Sequence, residues 1–226
     1  TTPGYSHLNI GGRLDYQHKT HLDGEILTLS YMLAATRQHT IFRQMYNNMV
    51  NFPVNYTSYD RNTRERFTEH TFQIDYVRPF GKYHKIESGT KYILRYNNST
   101  SLMDYQGTTP DMESKFKHNA QVAAAYLSYI FTAGKWAARA GLRYEFTRMK
   151  ASYPDGSNAD YHANLNDWVP SASLQYKISD GQTLKFSYNT SINRPGIGYL
   201  NPAIISTPTE VSFGNANLGS SRNQKL

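Results

Sequence analysis

Strict two-residue alternation is the feature that most narrows what this chain can become. In "WAARAGLRYEF", residues 136–146, Trp136, Ala138, Ala140, Leu142, Tyr144 and Phe146 are apolar or small, and Arg139, Arg143 and Glu145 fall between them. A strand sends successive side chains to opposite faces, so this segment builds one greasy face and one charged face. Period two recurs in eight windows, roughly 6–19, 25–38, 66–77, 85–98, 119–131, 136–148, 168–178 and 183–192. In the first, Leu8, Ile10, Leu14 and Tyr16 oppose Asn9, Arg13, Asp15 and Gln17. In the fourth, Ile86, Tyr92, Leu94 and Tyr96 oppose Glu87, Lys91 and Arg95. The seventh sets Trp168, Pro170, Leu174 and Tyr176 against Ser171, Ser173 and Gln175, and the eighth sets Leu184, Phe186 and Tyr188 against Lys185 and Ser187. Pro170 lacks a ladder donor and is expected near its strand's start or at a bulge. The fifth window is apolar on both faces and takes no orientation.

The connections discriminate further. "THLDG", "RPFGKYH", "TAGK" and "SDGQ" are short, and Gly24, Gly81, Gly134 and Gly181 are placed to supply unusual backbone angles. Between them lie long polar segments, about 43–65, 98–117, 149–166 and 193–226. Short and long connections alternate, so every long one falls at the same end of an antiparallel sheet. Greek-key sandwiches mix these lengths. Tight turns at one end and long loops at the other are the habit of transmembrane β-barrels. The fold class expected is therefore all-β: an antiparallel up-and-down meander of about eight strands within a larger transmembrane barrel. In it, residues 1–226 form one partial outer-membrane barrel domain and 193–226 an extracellular loop region.

Composition is consistent with that reading. No apolar run approaches the roughly 20 residues of a spanning helix, and strands satisfy their backbone groups in lipid only within a closed barrel. Tyrosine is abundant, 19 against 10 Phe and 2 Trp, and its amphipathic ring suits boundaries between greasy and wet. Trp136 follows a short turn and Trp168 a long loop, so they are expected at the inner and outer aromatic girdles. The net charge of +7 is spread through the alternating windows rather than clustered, and no nucleic-acid partner is expected. There is no cysteine, hence no disulfide. The opening "TTPGYSHLNI" already lies in a strand pattern, which reads as a piece of a longer protein.

On these faces the expected lumen-lining residues are Arg13, Asp15, Glu87, Lys91, Arg95, Arg139, Arg143 and Glu145. The expected lipid-facing or girdle residues are Trp136, Leu142, Tyr144, Trp168, Leu174, Tyr176, Phe186 and Tyr188. The row Glu87, Lys91, Arg95 lines either a substrate route or a self-neutralised wet wall. Tyr46, Tyr56, Tyr59, Tyr105, Tyr153 and Tyr161 fall in the long segments, where they either stack on a ligand or pack on one another. Histidines such as His7, His39, His84 and His162 lack metal-ligand spacing, and "DGSNAD" at 155–160 lacks the ligands of a calcium loop. No nucleophile elbow or phosphate loop is present. No catalytic residue, metal or cofactor is expected.

The last quarter resembles a known family. "LKFSYNTSINRPGIGYLNP" followed by "VSFGNANL" is similar to the barrel region of TonB-dependent outer-membrane receptors of the Bacteroidetes-type barrel family, through Ser187, Tyr188, Arg194, Pro195, Leu200, Asn201, Pro202, Gly214, Asn215 and Leu218. "QIDYVRPFGKYHKIESGTKY", "AAYLSY", "AGLRYEFT" and "VPSASLQYKISDGQTL" resemble it too, in consistent order. The chain departs at Ala216, where the family has proline, and at "GSS" after Leu218, where Lys-Pro-Glu would stand. The resemblance implies a barrel of about 22 strands with a plugged lumen. It also implies a plug domain outside this chain, energy from the TonB complex through that plug, outer-membrane lipid around the wall, and a surface lipoprotein as partner. The implied function is uptake of a bulky nutrient such as a siderophore or glycan. Two other functions stay open on the residues alone: a passive porin or structural barrel, and a soluble carbohydrate-binding β-protein.

Overall fold

The computed structural model describes residues 4–47, 50–51, 55–195, 197–200, 205–206, 211–215 and 217–226. Eight long strands follow one another: β1 (Gly4–Lys19), β2 (Ile26–Met45), β3 (Tyr56–Phe80), β4 (His84–Gly107), β5 (Met112–Ala133), β6 (Trp136–Ser152), β7 (Tyr161–Ser179) and β8 (Gln182–Asn193). After them come a single helical turn, α1 (Ile197–Leu200), a small ribbon of β9 (Ile205–Ser206) and β10 (Val211–Ser212), and β11 (Ser221–Lys225). The long strands and β11 form one antiparallel sheet in the order β1-β2-β3-β4-β5-β6-β7-β8-β11. Each strand pairs with its sequence neighbour, apart from the return of β11 onto β8. Among the described residues no helix is long and apolar enough to cross a membrane; any crossing is left to the strands.

The strands run well past the windows of hydrophobic alternation. β3 has 25 residues and β4 has 24, and they absorb most of the segments 43–65 and 98–117 that read as loops. The reason is physical. Alternation records a contrast between two media, and it fades where both faces meet water. Pairing continues there through polar partners. Arg43 sits directly opposite Asp60 and donates two hydrogen bonds to it at 2.5 and 2.6 Å, and Thr63 meets Ser101 at 3.1 Å. The region 193–226 likewise is not all loop: Ser221 to Lys225 pair with Asn193 to Asn189. Pro170 lies inside β7 rather than at its start, but the ladder to β8 begins at the adjacent Ser171, so the missing donor falls where that pairing ends. Gly24, Gly81 and Gly134 take positive φ at the tight turns; Gly181 does not, and its turn closes without one.

Burial in this sheet is inverted. Glu145 and Asp167 are 8% and 2% exposed, whereas Leu14, Leu142, Trp168 and Phe186 are 71%, 47%, 53% and 57% exposed. The crowded face is the polar one, where Ala120, Val122, Thr147 and Ala151 are buried. Side chains on it reach over an intervening strand: Arg139 on β6 meets Glu87 on β4 at 2.8 Å, and the Tyr126 hydroxyl on β5 donates to Asp75 on β3. The sheet therefore curls with its polar face inside.

Gly89 makes one of these reaches feasible. A Cβ there would stand 2.6 Å from the Ile74 carbonyl oxygen and 2.6 Å from the Tyr126 ring, so the ring sits against bare backbone. Gly89→Ala is expected to cost the folded protein about 1–3 kcal/mol through displacement of that ring. Gly12→Ala, where a Cβ meets nothing within 4 Å, should change stability by less than about 0.5 kcal/mol. Urea unfolding of the detergent-folded full-length protein measures both.

Candidate functional site

The inner face of the curl holds the chain's polar chemistry. Register pairs Arg139 with Ser173, Arg143 with Val169 and Glu145 with Asp167 across β6 and β7. Through β5 the same rows continue to Lys85, Gly89 and Lys91 on β4, and to Asp75 and Gln73 on β3. Arg13 and Asp15 join the face from β1, opposite Met32 and Ser30. All eight residues read as lumen-lining thus share one face. The eight read as lipid-facing share the other: Trp136 pairs with Tyr176, Tyr144 with Trp168, Leu174 with Phe186, and Leu142 and Tyr188 stand in the same parity.

Most inner charges neutralise one another. Arg13 donates to Asp15 at 2.6 Å, and Asp15 also accepts from Ser30 at 2.5 Å. Arg95 meets Glu69 at 2.5 Å. Glu87 is shared between Lys85 and Arg139, each at 2.8 Å. Of the row Glu87, Lys91, Arg95, two members are therefore paired, and Lys91 stands beside Gln73 and Ala124 in register. Partly exposed pairs of this kind contribute little to stability individually.

One cluster differs by its depth. Glu145 accepts from Arg143 at 2.5 Å on one carboxylate oxygen and from Arg194 on the other. The Arg194 Nε lies 3.6 Å from Asp167, and Asp167 accepts a 2.8 Å hydrogen bond from Ser220. The two ends of the connection between β8 and β11 thus converge on one buried aspartate. The connection also drops Leu200, fully buried, into an apolar dimple with Ala120 and Met149, flanked by Tyr161, Ala163 and Leu165. The Asn215 N–H donates to the Tyr199 carbonyl at 2.7 Å and ties the return limb to α1. Of the motif residues, Arg194 is the anchor, Pro195 directly follows it, and Gly214 and Asn215 form the return; Asn201 and Pro202 lie outside the described residues. Asp167, Leu200 and Ser220 carry this arrangement, and Asp167 and Ser220 were not legible as site residues. Asp167 could have been found by extending the parity of Ser171 and Val169 one step back along β7.

Farther out on the inner face, Tyr46, Tyr56, Tyr59 and Tyr105 pack together, with ring centroids 4.7 Å apart for Tyr56 and Tyr105 and 5.9–6.1 Å for Tyr46–Tyr56 and Tyr56–Tyr59. Burial pushes the Tyr56 hydroxyl up to about 12. Tyr153 instead packs on Phe116, and Tyr161 flanks Leu200. Nearby on the outer face, the Arg43 guanidinium hydrogen-bonds Asp60 and holds its carboxyl below the usual range. Among the described residues no three His, Asp or Glu side chains are grouped to hold a metal ion.

The outer membrane protein beta-barrel family matches residues 18–225. The chain belongs to that family. Its localisation is accordingly the outer membrane, with lipid as surroundings. Among solved structures, its fold matches the ferric citrate transporter FecA in unliganded form, with a TM-score of 0.65 at 13% identity over 83% of this chain and 28% of that one. It matches the siderophore receptor PiuA from Acinetobacter baumannii, with a TM-score of 0.63 at 15% identity over 97% of this chain and 37% of that one. It also matches the ferric yersiniabactin uptake receptor FyuA from Yersinia pestis, with a TM-score of 0.63 at 12% identity over 97% of this chain and 32% of that one. At these identities the likeness is one of fold. The chain spans about a third of the length of these structures. No curated protein matches it in sequence.

In this barrel family member the buried cluster gives a direct test. Arg194→Met leaves Glu145 with one partner and Asp167 without its cation, at an expected cost of about 1–3 kcal/mol, below that of a fully buried pair because Arg194 keeps some solvent contact. Limited proteolysis of the full-length protein should then cleave within 194–220 many times faster, with the strands still protected.

Proposed function

We propose that this chain is a stretch of the barrel wall of a TonB-dependent outer-membrane receptor that imports a bulky nutrient, of siderophore or glycan class. The observation that supports this best is the combination of an open nine-strand curl with a polar inner face on which many charges are paired. An eight-stranded barrel closes around its own side chains. Here nine strands leave β1 and β11 unpaired with each other, so the parent barrel is wider and its lumen has room for a separate plug. The inner face contributes polar lining and an infolded connection rather than bond chemistry, so the work assigned to it is guidance and conformational coupling. The plug, the TonB complex and a surface lipoprotein are the partners proposed for the whole receptor.

The lipid-facing assignment belongs to this reading and is tested by two neighbours on β6. Leu142 stands on the outer face roughly midway between Trp136 and Arg148. Leu142→Arg is expected to cost about 2–4 kcal/mol in the lipid-embedded full-length protein, the penalty for a cation near midplane. Arg143→Leu on the inner face should cost clearly less. Equal penalties would contradict the assignment.

The transport reading is tested on the full-length protein in cells and in planar bilayers. Uptake of the nutrient should stop when the proton-motive force is collapsed, and the purified protein should show no steady ion conductance. Steady conductance without energy input would instead identify a passive porin.

A further inference from the structure

From β2 to β8 the exposed large apolar side chains, such as Leu29, Phe72, Tyr92, Leu127 and Phe186, stand on the outer face, with Met112 at the start of β5 the exception among the described residues. Two rings on the inner side do not follow this division: Tyr199 is 71% exposed and Phe213 is 73% exposed. Both belong to the connection between β8 and β11, which is held against the inner face. Arg194 ahead of them meets Glu145 and lies 3.6 Å from Asp167. Leu200 between them fills the dimple on Ala120 and Met149, and Ser220 behind them reaches Asp167. The Asn215 N–H donates to the Tyr199 carbonyl at 2.7 Å, which brings the limb carrying Phe213 to the limb carrying Tyr199.

A ring left in water forgoes the burial free energy that Leu200, the next residue along, obtains. Anchors ahead of the rings, between them and behind them hold both in place, which lowers the ordering cost of a contact made there. The chemistry around them is uncharged. Between Arg194 and Arg222 the sequence has one charged residue, Glu210, and the exposed amides of Asn215 and Asn217 follow Phe213. On the wall beneath, Arg95 meets Glu69, and Glu145 is shared by Arg143 and Arg194. The level is that of the outer mouth. Met149 of the dimple falls between Arg148 and Lys150, just beyond Phe146, where the outward apolar run of β6 ends. A solute entering from outside passes this level before it reaches the middle of the lumen.

We infer that Tyr199 and Phe213 are a contact for the sugar rings of an uncharged oligosaccharide cargo. The C–H face of a pyranose is apolar and weakly positive, and it lies against the negative face of an aromatic ring. Its hydroxyl edge exchanges hydrogen bonds with side-chain amides such as those of Asn215 and Asn217, and with the Tyr199 hydroxyl. A cargo recognised by negative charge calls for free cations, and the connection has no Lys or Arg between Arg194 and Arg222. The inference rests on the nutrient-receptor reading and narrows its cargo.

The test is saturation-transfer NMR on detergent-solubilised full-length receptor with three probes. They are a mixture of neutral linear oligosaccharides of glucose, galactose, mannose and xylose, a gallium tris-catecholate, and gallium citrate, with gallium standing in for iron because it is diamagnetic. The oligosaccharides should be saturated, most strongly at their ring C–H protons. Tyr199→Ala with Phe213→Ala should weaken that binding about tenfold, the loss expected for two stacked rings. Tyr199→Phe with Phe213→Tyr keeps both rings and should keep most of the signal. Binding of a gallium complex without binding of any oligosaccharide overturns the inference and leaves the receptor reading standing. So does oligosaccharide binding that the alanine pair leaves undiminished; if the melting temperature of that variant also falls, the rings pack against the plug instead. Failure of all three probes to bind sinks the nutrient-receptor reading and the inference with it.

Discussion

A backbone strand in hydrocarbon must find every hydrogen-bond partner in another strand, because the solvent offers none. The rest of this structure depends on that constraint. It explains why the strands pair in sequence order and why the large hydrophobic side chains point outward. With the ladder complete, the only remaining freedom of a strand residue is which of two faces it occupies. The chain uses that choice to place Leu142 and Phe186 on one side and Glu145 and Asp167 on the other, so that the carboxylates are the buried groups and the large apolar side chains the exposed ones.

From that division follows the chemistry of each face. The inner face confines charges near one another in a curved space, and they pair, from Arg13 with Asp15 to Arg139 with Glu87. Pairing offsets part of the charge that the inner face carries. It also supplies the anchor for the infolded connection: Arg194 and Ser220 meet at Asp167, and Leu200 fills the dimple on Ala120 and Met149. In this chain Arg194 and Asn215 therefore help to hold the connection against the inner face. The outer face is less confined: above the apolar band Arg43 meets Asp60 and Lys150 meets Asp160, while Arg37 stands directly opposite Arg66.

Sequence alone carried the architecture and the shared parity of the two sets of eight side chains, because alternation survives without any knowledge of register. Arg13, Glu87 and Arg143 come from three strands, yet period two within each strand was enough to group them. Strand length was much less legible. The outer parts of β3 and β4 carry polar side chains on both faces, so residues such as Arg61, Asn62 and Thr63 read as loop although they pair. The return of Ser221 to Lys225 onto β8 was invisible for the same reason, being five polar residues with no apolar stripe. Asp167 and Ser220 were hidden by a different limit: their roles come from contacts between distant segments, and neither charge nor hydrophobicity in one window announces a long-range partner. The alignment of Arg37 with Arg66 needs register, which period two does not supply.

The medium against the outward face is the centre of this structural picture, and β6 offers the most direct measurement. Nitroxide labels at successive positions from Ala138 to Thr147, placed one at a time in the full-length protein in lipid bilayers, report their collision rates with oxygen and with a water-soluble nickel chelate. Even-numbered positions should be rich in oxygen collisions and shielded from nickel, odd-numbered positions the reverse, in strict alternation. A run with no alternation, or with even positions shielded from both reagents as beneath a second protein layer, would contradict it.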